Sequence, residues 1–208
     1  EGFLRVAGLD FPLLWEQDPE IGWKHVAGAR RHHTEEGESY VVINSLGQRD
    51  RPRQLERAPG SLRIAVFGDS LTEALQVDLE QSFCAILEEK LSSPERKVEV
   101  LNFGVSGYSP VQDLISLRRN GPRYRPDVAV LALFLDSDVS GCHPALNPTQ
   151  GAPPYVSFEG GKALFDYSRA RKSYDDYHRQ PVSLLRKTSA IFRALSEWRL
   201  RRRAMLFS

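Results

Sequence analysis

The chain has 208 residues, of which 41% are hydrophobic and 26% are charged, a composition typical of folded globular proteins and not of disordered ones. Its two cysteines are too few for a disulfide framework, and no apolar run reaches the roughly 18 residues of a membrane span. The net charge of +1 conceals a balance of −7 over residues 1–168 and +8 over residues 169–208. A basic C-terminal segment can bind nucleic acid or an anionic membrane, but the solvated face of a helix is the favoured interpretation.

The first 61 residues are predicted to form an N-terminal extension and linker. The β-branched run Tyr40–Ile43 predicts a strand of a small antiparallel unit, and residues 51–61, with their Arg, Pro and Gly, predict the linker. His32 and His33 do not predict a metal site, because adjacent side chains point in different directions and no carboxylate or Cys has ligand spacing. We expect no metal and no cofactor.

The second predicted unit, residues 62–208, begins with a buried strand that ends at a serine. The apolar residues 64–67 lead into Gly68, Asp69 and Ser70. Ligands of open α/β sheets bind beyond the carboxyl ends of the strands, so Ser70 is a candidate nucleophile. The alternative is that Asp69 or Ser70 only caps the following helix.

Two further strand–turn units follow at the spacing of βαβ folds. A helix is predicted over Gln81–Leu91, with Phe83, Ile86, Leu87 and Leu91 as its buried stripe. The next predicted strand is Val98–Phe103, and a capping box at Ser109 opens a helix that buries Val111, Leu114 and Ile115 and ends at 120–122. A third strand over Val128–Leu135 completes a predicted right-handed parallel sheet.

The remaining residues have weaker signals. Residues 141–177 are predicted to be a loop insertion over the strand ends, with a hairpin that pairs 156–158 with 163–165. Residues 182–205 are predicted to form a basic amphipathic helix.

Residues 18–140 resemble the SGNH, or GDSL, hydrolases. The resemblance is carried by Gly68-Asp69-Ser70-Leu71, by the block from Asn102 to Gly107, and by the Asp-containing turn after the third strand. It implies a flavodoxin-like, three-layer α/β/α fold, here expected to be incomplete at the C-terminus and preceded by a small β-containing extension.

The family resemblance also implies roles for particular residues. Ser70 would be the nucleophile, and its backbone N–H would be one donor of the oxyanion hole. Gly107 would supply the second N–H, and Gly104 is the alternative candidate for that donor. The third donor of the family is an Asn, where this chain has Ser137, whose hydroxyl has a shorter reach. We therefore expect a weakened oxyanion hole, or one that another group completes. The residues expected to support the site are Asp69, Asn102 and Asp138.

The general base is missing from this set. The family's base is the His of an Asp-x-x-His block after the last strand, and we expect that block beyond Ser208, in a longer protein. His143, in Ser140–Pro144, is the weaker candidate, because it follows the third strand and not the last. Relatives with a similar N-terminal segment often have a membrane anchor before it, which favours an extracytoplasmic or membrane-associated location.

The function predicted from the resemblance is a serine ester hydrolase that forms an acyl-enzyme on Ser70. Its substrates would be acyl or acetyl esters of small molecules or carbohydrates, with no nucleic-acid partner. Three alternatives remain: an O-acyltransferase on the same fold, a non-catalytic domain that binds glycans or a partner, and a flavodoxin-like ligand-binding domain. The last is disfavoured because the chain has neither a dinucleotide motif nor a P-loop. The oligomeric state stays open.

Overall fold

The N-terminal segment forms two antiparallel hairpins. The computed structural model describes residues 13–135, 138–146 and 152–181, and positions 183, 185, 189, 191–193 and 195. Strands β1 (Trp15–Asp18) and β2 (Gly22–His25) make the first hairpin, and β3 (Arg30–His33) and β4 (Ser39–Val42) make the second. The predicted strand at Tyr40 and its antiparallel partner are thereby confirmed.

A parallel sheet of three strands forms the centre of the fold. It contains β5 (Leu62–Phe67), β6 (Val98–Asn102) and β7 (Val128–Leu131), in the order β6-β5-β7. The helices between them are α1 (Ser70–Glu73), α2 (Phe83–Leu91) and α3 (Pro110–Tyr124). The protein is thus a mixed α/β structure with a parallel sheet, which is compatible with a flavodoxin-like fold.

Strand alternation sends apolar side chains to both faces of the sheet. Ile64 and Val66 of β5 lie on one face, in a cluster with Cys84 of α2. Ala65 and Phe67 lie on the other face, in a cluster with Tyr124 of α3. Each face of β5 is therefore packed against a different helix.

Two helices differ from their predicted form. On α2, Leu87 and Leu91 pack against the core as predicted and Cys84 and Ala85 are buried, whereas Phe83 and Ile86 of the predicted stripe are exposed. On α3 the capping box is confirmed, but Leu114 is exposed. That helix continues through Pro122 to Tyr124 and ends only where Arg125 adopts a left-handed conformation.

Strand β7 is the outer strand of the sheet on one side. All four of its residues are exposed, and Leu133, Phe134 and Leu135 beyond it are exposed as well. Within the described part of the chain, no strand pairs with its outer edge. An unpaired parallel edge with apolar side chains is unusual, because parallel sheets are normally covered on both sides.

The predicted insertion contains more regular structure than expected. Strands β8 (Tyr155–Glu159) and β9 (Lys162–Asp166) confirm the hairpin. They are followed by α4 (Ser168–Arg179), which the sequence analysis missed because its apolar content is low. Most of the predicted helix over 182–205 lies outside the described residues. None of the described helices is long and apolar enough to cross a membrane.

Candidate active site

The turn after β5 places Ser70 at the first position of α1. Asp69 is the N-cap of this helix, and its Oδ1 accepts a hydrogen bond of 2.9 Å from the Leu71 N–H. Capping is therefore done by Asp69, and the Ser70 hydroxyl is not used for it. Ser70 is half-buried, and its hydroxyl has no hydrogen-bond partner among the described residues.

The carboxyl end of β6 is attached directly to α1 by Asn102. The Asn102 Nδ2 donates to the Thr72 carbonyl oxygen at 2.8 Å, and its Oδ1 accepts from the Gly104 N–H at 2.9 Å. A Cβ at Gly104 would lie 2.4 Å from the Glu73 backbone nitrogen, so only glycine allows this approach. Because the Gly104 N–H is already bonded, the structure favours Gly107 over Gly104 as a free donor.

Gly107 and Ser70 border the same pocket. This pocket has a volume of about 160 Å³, and its walls include Trp23, Asp69, Ser70, Gly107, Gln112 and Asp138. Gly107 is exposed, with a φ of +77°, and no described residue accepts a hydrogen bond from its N–H. A hydroxyl and an unpaired backbone donor therefore share one small cavity at the ends of two parallel strands.

The end of β7 contributes Asp138 to this pocket. Asp138 is buried, and its Oδ2 accepts a hydrogen bond of 2.8 Å from the Phe134 N–H. Ser137, the predicted third oxyanion donor, lies outside the described residues, as does Asp136. Four predicted site residues, Ser70, Gly107, Asp69 and Asp138, are thus brought together, whereas Asn102 does not line this pocket.

No histidine of the described part of the chain borders this pocket. His143 is exposed, and its Nδ1 accepts from the Ala145 N–H. The spacing Asp-x-x-His also occurs at Asp175 and His178, which are not among the predicted site residues. Both residues are exposed on α4, and the His178 Nδ1 lies 2.8 Å from the carbonyl oxygen of Tyr174. Spacing alone therefore does not identify the base.

A buried acid, Asp113 of α3, lies close to the serine turn. Burial and, to a smaller extent, the charges of Asp138 and Asp69 raise the pKa of its carboxyl to about 7, although the Gly68 N–H lowers it in part. Neither carboxyl oxygen has a hydrogen-bond partner of normal geometry among the described residues. This burial could not be predicted, since an acid in the first turn of a helix is ordinary.

A second buried acid, Glu73, was also missed. It is the last residue of α1, and its side chain is completely buried between the N-terminal hairpins and the loop that contains Gly107. Its partners are Trp15, His25 and Ser106. In the described residues, no group of three or more His, Cys, Asp or Glu side chains could hold a metal ion.

Comparison with known proteins gives limited information. A structure described as the crystal structure of TesA is similar to part of this chain, at 28% identity over 40% of this chain and 46% of the TesA chain, with a TM-score of 0.35. The match spans less than half of TesA, and a TM-score this low does not establish a common fold. No family model and no curated protein matches the sequence.

Proposed function

We propose that this chain carries the nucleophile and oxyanion hole of a serine ester hydrolase of the SGNH type. One observation carries the proposal: the unbonded Ser70 hydroxyl shares a pocket of about 160 Å³ with the unbonded N–H of Gly107. A nucleophile beside a preorganised backbone donor is what acyl transfer requires. The substrates proposed are acyl or acetyl esters of small molecules or glycans.

In the proposed reaction the Ser70 Oγ attacks the ester carbonyl carbon while a general base takes its proton. The negative charge that develops on the carbonyl oxygen is stabilised by the N–H groups of Ser70 and Gly107 and by the Ser137 hydroxyl. The bond to the alcohol then breaks, and the alcohol leaves with the proton. Water hydrolyses the acyl-enzyme, which releases the acid and restores Ser70. Asp69 caps the helix that begins at Ser70, and Asn102 holds the end of β6 against that helix. Asp138 forms part of the pocket wall.

The proposal is tested by labelling the full-length protein with a fluorophosphonate probe. We expect the wild type to be labelled on Ser70 and Ser70→Ala to be unlabelled. Ser45→Ala, which changes an exposed serine, is the matched control and should be labelled like the wild type. Equal labelling of Ser70→Ala would show that another residue is the nucleophile. A folded wild type that is not labelled would favour a non-catalytic, glycan- or partner-binding domain.

A labelled enzyme can still be a hydrolase or an O-acyltransferase. Both form the same acyl-enzyme, and they differ in whether water or a second alcohol accepts the acyl group. Release of free acetate from an acetyl ester in water supports hydrolysis. Product formation only when a sugar alcohol is added supports transfer.

Gly107 allows a test that separates backbone strain from displacement of the donor, since alanine keeps the N–H but adds a Cβ beside it. We expect Gly107→Ala and Gly28→Ala each to lower the free energy of unfolding by about 1–2 kcal/mol, because φ is +77° at one and +75° at the other. A Cβ at Gly28 meets nothing within 4 Å, whereas one at Gly107 lies 3.3 Å from the Trp23 ring. Only Gly107→Ala should slow fluorophosphonate labelling, by about tenfold or more. Similar labelling rates for the two variants would argue against Gly107 as the donor.

A further inference from the structure

We propose that Glu73 and Trp23 are positioning residues that aim the Gly107 N–H at the reacting carbonyl, and that the N-terminal hairpins therefore form part of the active site. This inference rests on the proposed function, because it assigns a role to residues behind the proposed oxyanion donor. Neither residue makes a hydrogen bond to Ser70. Both act through Ser106, the residue that precedes Gly107.

Glu73 holds the Ser106 residue by two bonds. Its Oε2 accepts a hydrogen bond of 2.7 Å from the Ser106 N–H and a second, short one from the Ser106 hydroxyl. Glu73 lies three residues after Ser70 on α1, and its side chain is completely buried. A single short helix therefore carries the proposed nucleophile at its first position and the anchor of the donor loop at its last.

Trp23 sets the direction of the Gly107 N–H. The Trp23 Nε1 donates to the carbonyl oxygen of Ser106 at 3.0 Å. That carbonyl and the Gly107 N–H belong to the same planar trans peptide group, in which they point in opposite directions. Fixing the carbonyl toward Trp23 therefore fixes the N–H away from it. Tyr108 strengthens the arrangement, since its hydroxyl donates to the Trp23 carbonyl oxygen at 2.6 Å.

The other oxygen of Glu73 is anchored in the N-terminal extension. Its Oε1 accepts from the Trp15 Nε1 at 3.2 Å and lies 2.5 Å from the Nε2 of His25. The Nδ1 of His25 lies 3.3 Å from the Gly47 carbonyl oxygen, so both ring nitrogens face acceptors. The carboxyl group of Glu73 is thus oriented by His25 and Trp15, which precede it in the sequence by 48 and 58 positions.

A purely structural role is a poor explanation for this cluster. Burying a carboxyl group is expensive, and a well-packed apolar side chain of similar size often stabilises a fold equally well or better. What the carboxyl group adds is direction, because each oxygen accepts from donors on a different segment. Those segments are β1 and β2 on one side and the Ser106 loop on the other.

Glu73→Gln is the sharpest test, because it keeps the volume and replaces one acceptor oxygen by an NH₂ donor. If the NH₂ group takes the place of Oε2, it faces the Ser106 N–H, and if it takes the place of Oε1, it faces the Trp15 Nε1–H. In either case two donors oppose each other and one hydrogen bond is lost. The matched control is Glu88→Gln on α2. Glu88 is also mostly buried and bonded to Arg51, Arg53 and the Val100 N–H, but it does not contact the loop.

The full-length protein is assayed with p-nitrophenyl acetate and with the fluorophosphonate probe, at a temperature where melting curves show each variant folded. We expect Glu73→Gln to lower kcat and the labelling rate by about 10–100-fold with KM within about twofold, because a transition-state contact is weakened. Glu88→Gln should stay within about twofold of wild type. Trp23→Phe, which removes the Nε1 donor and leaves a smaller aromatic ring, should lower kcat by about tenfold.

The outcomes separate this inference from the proposed function. If the wild type is labelled and Glu73→Gln and Trp23→Phe react at the wild-type rate, the positioning role is overturned and the nucleophile stands. If the rates of both variants fall only in proportion to their folded fraction, the cluster is structural and the inference is again overturned. If Glu73→Gln does not fold, Trp23→Phe decides. A folded but unreactive wild type overturns both proposals.

Discussion

Truncation of Arg63 to alanine will lower the free energy of unfolding by about 3–5 kcal/mol. The Arg63 side chain is completely buried at the start of β5, and its Nε and Nη2 bond the Glu99 carboxyl group at 2.8 and 2.7 Å. Its guanidinium also donates to four backbone carbonyl groups, those of Gln54, Leu55, Glu56 and Tyr124. Alanine would leave the partly buried Glu99 and several of these carbonyls without partners, which is more costly than losing the bonds alone.

The position of Arg63 explains why the effect should be large. It joins the linker, the C-terminal end of α3 and strand β6 through one side chain, at the end of β5 opposite Ser70. Urea denaturation of Arg63→Ala measures the loss directly. Arg57→Ala is the matched control, because Arg57 is exposed and pairs with Asp127 at the surface, where such pairs contribute about 0–1 kcal/mol. Equal losses for the two variants would contradict this account.

Arg63→Ala also separates the stability of the fold from the reactivity of the site. Arg63 lies at the amino end of β5, whereas Ser70 follows its carboxyl end. Below the unfolding transition, we therefore expect Arg63→Ala to be labelled by a fluorophosphonate at a rate similar to that of the wild type. A strong loss of labelling in folded protein would mean that the strand transmits the defect to the serine turn.

The parallel sheet could be predicted because its strands are short apolar runs that end in glycine and polar residues. The rule that parallel strands end at one edge was sufficient to bring Ser70, Gly107 and Asp138 to one pocket. The α3 capping box could also be predicted from local sequence, since its two partners are three residues apart. Each of these features depends on neighbours in sequence or on one general rule of topology.

The features that were missed depend on contacts that sequence spacing does not encode. The Glu73 contact with His25 joins residues 48 positions apart and exists only because the first hairpin packs on α1. The exposure of Phe83 and Ile86 follows from how α2 is rotated on the sheet, which periodicity alone leaves open. The burial of Asp113 likewise depends on where α3 lies against the serine turn.

Asp113→Asn will change the pH dependence of stability by about 4 kcal/mol between pH 4 and pH 8. The pKa of Asp113 is raised to about 7 in the folded protein, mainly by burial, whereas an unfolded Asp titrates near 3.9. Between these values the folded state holds one more proton than the unfolded state. Wild-type stability must therefore fall as pH rises from about 4 to about 7, and a difference of about three pKa units corresponds to about 4 kcal/mol.

Asparagine is neutral throughout this range, so Asp113→Asn should lack the decline and should exceed the wild type in stability by the largest margin above pH 7. The measurement is urea denaturation of both proteins at half-unit pH steps, because their difference cancels the titration of the groups that do not interact with Asp113. Asp175→Asn, an exposed change on α4, should leave the wild-type profile unaltered. A constant difference between wild type and Asp113→Asn from pH 4 to pH 8 would mean that Asp113 titrates normally. In that case the carboxyl group beside the serine turn would be ionised at neutral pH, and its charge would oppose the oxyanion that the proposed reaction must form.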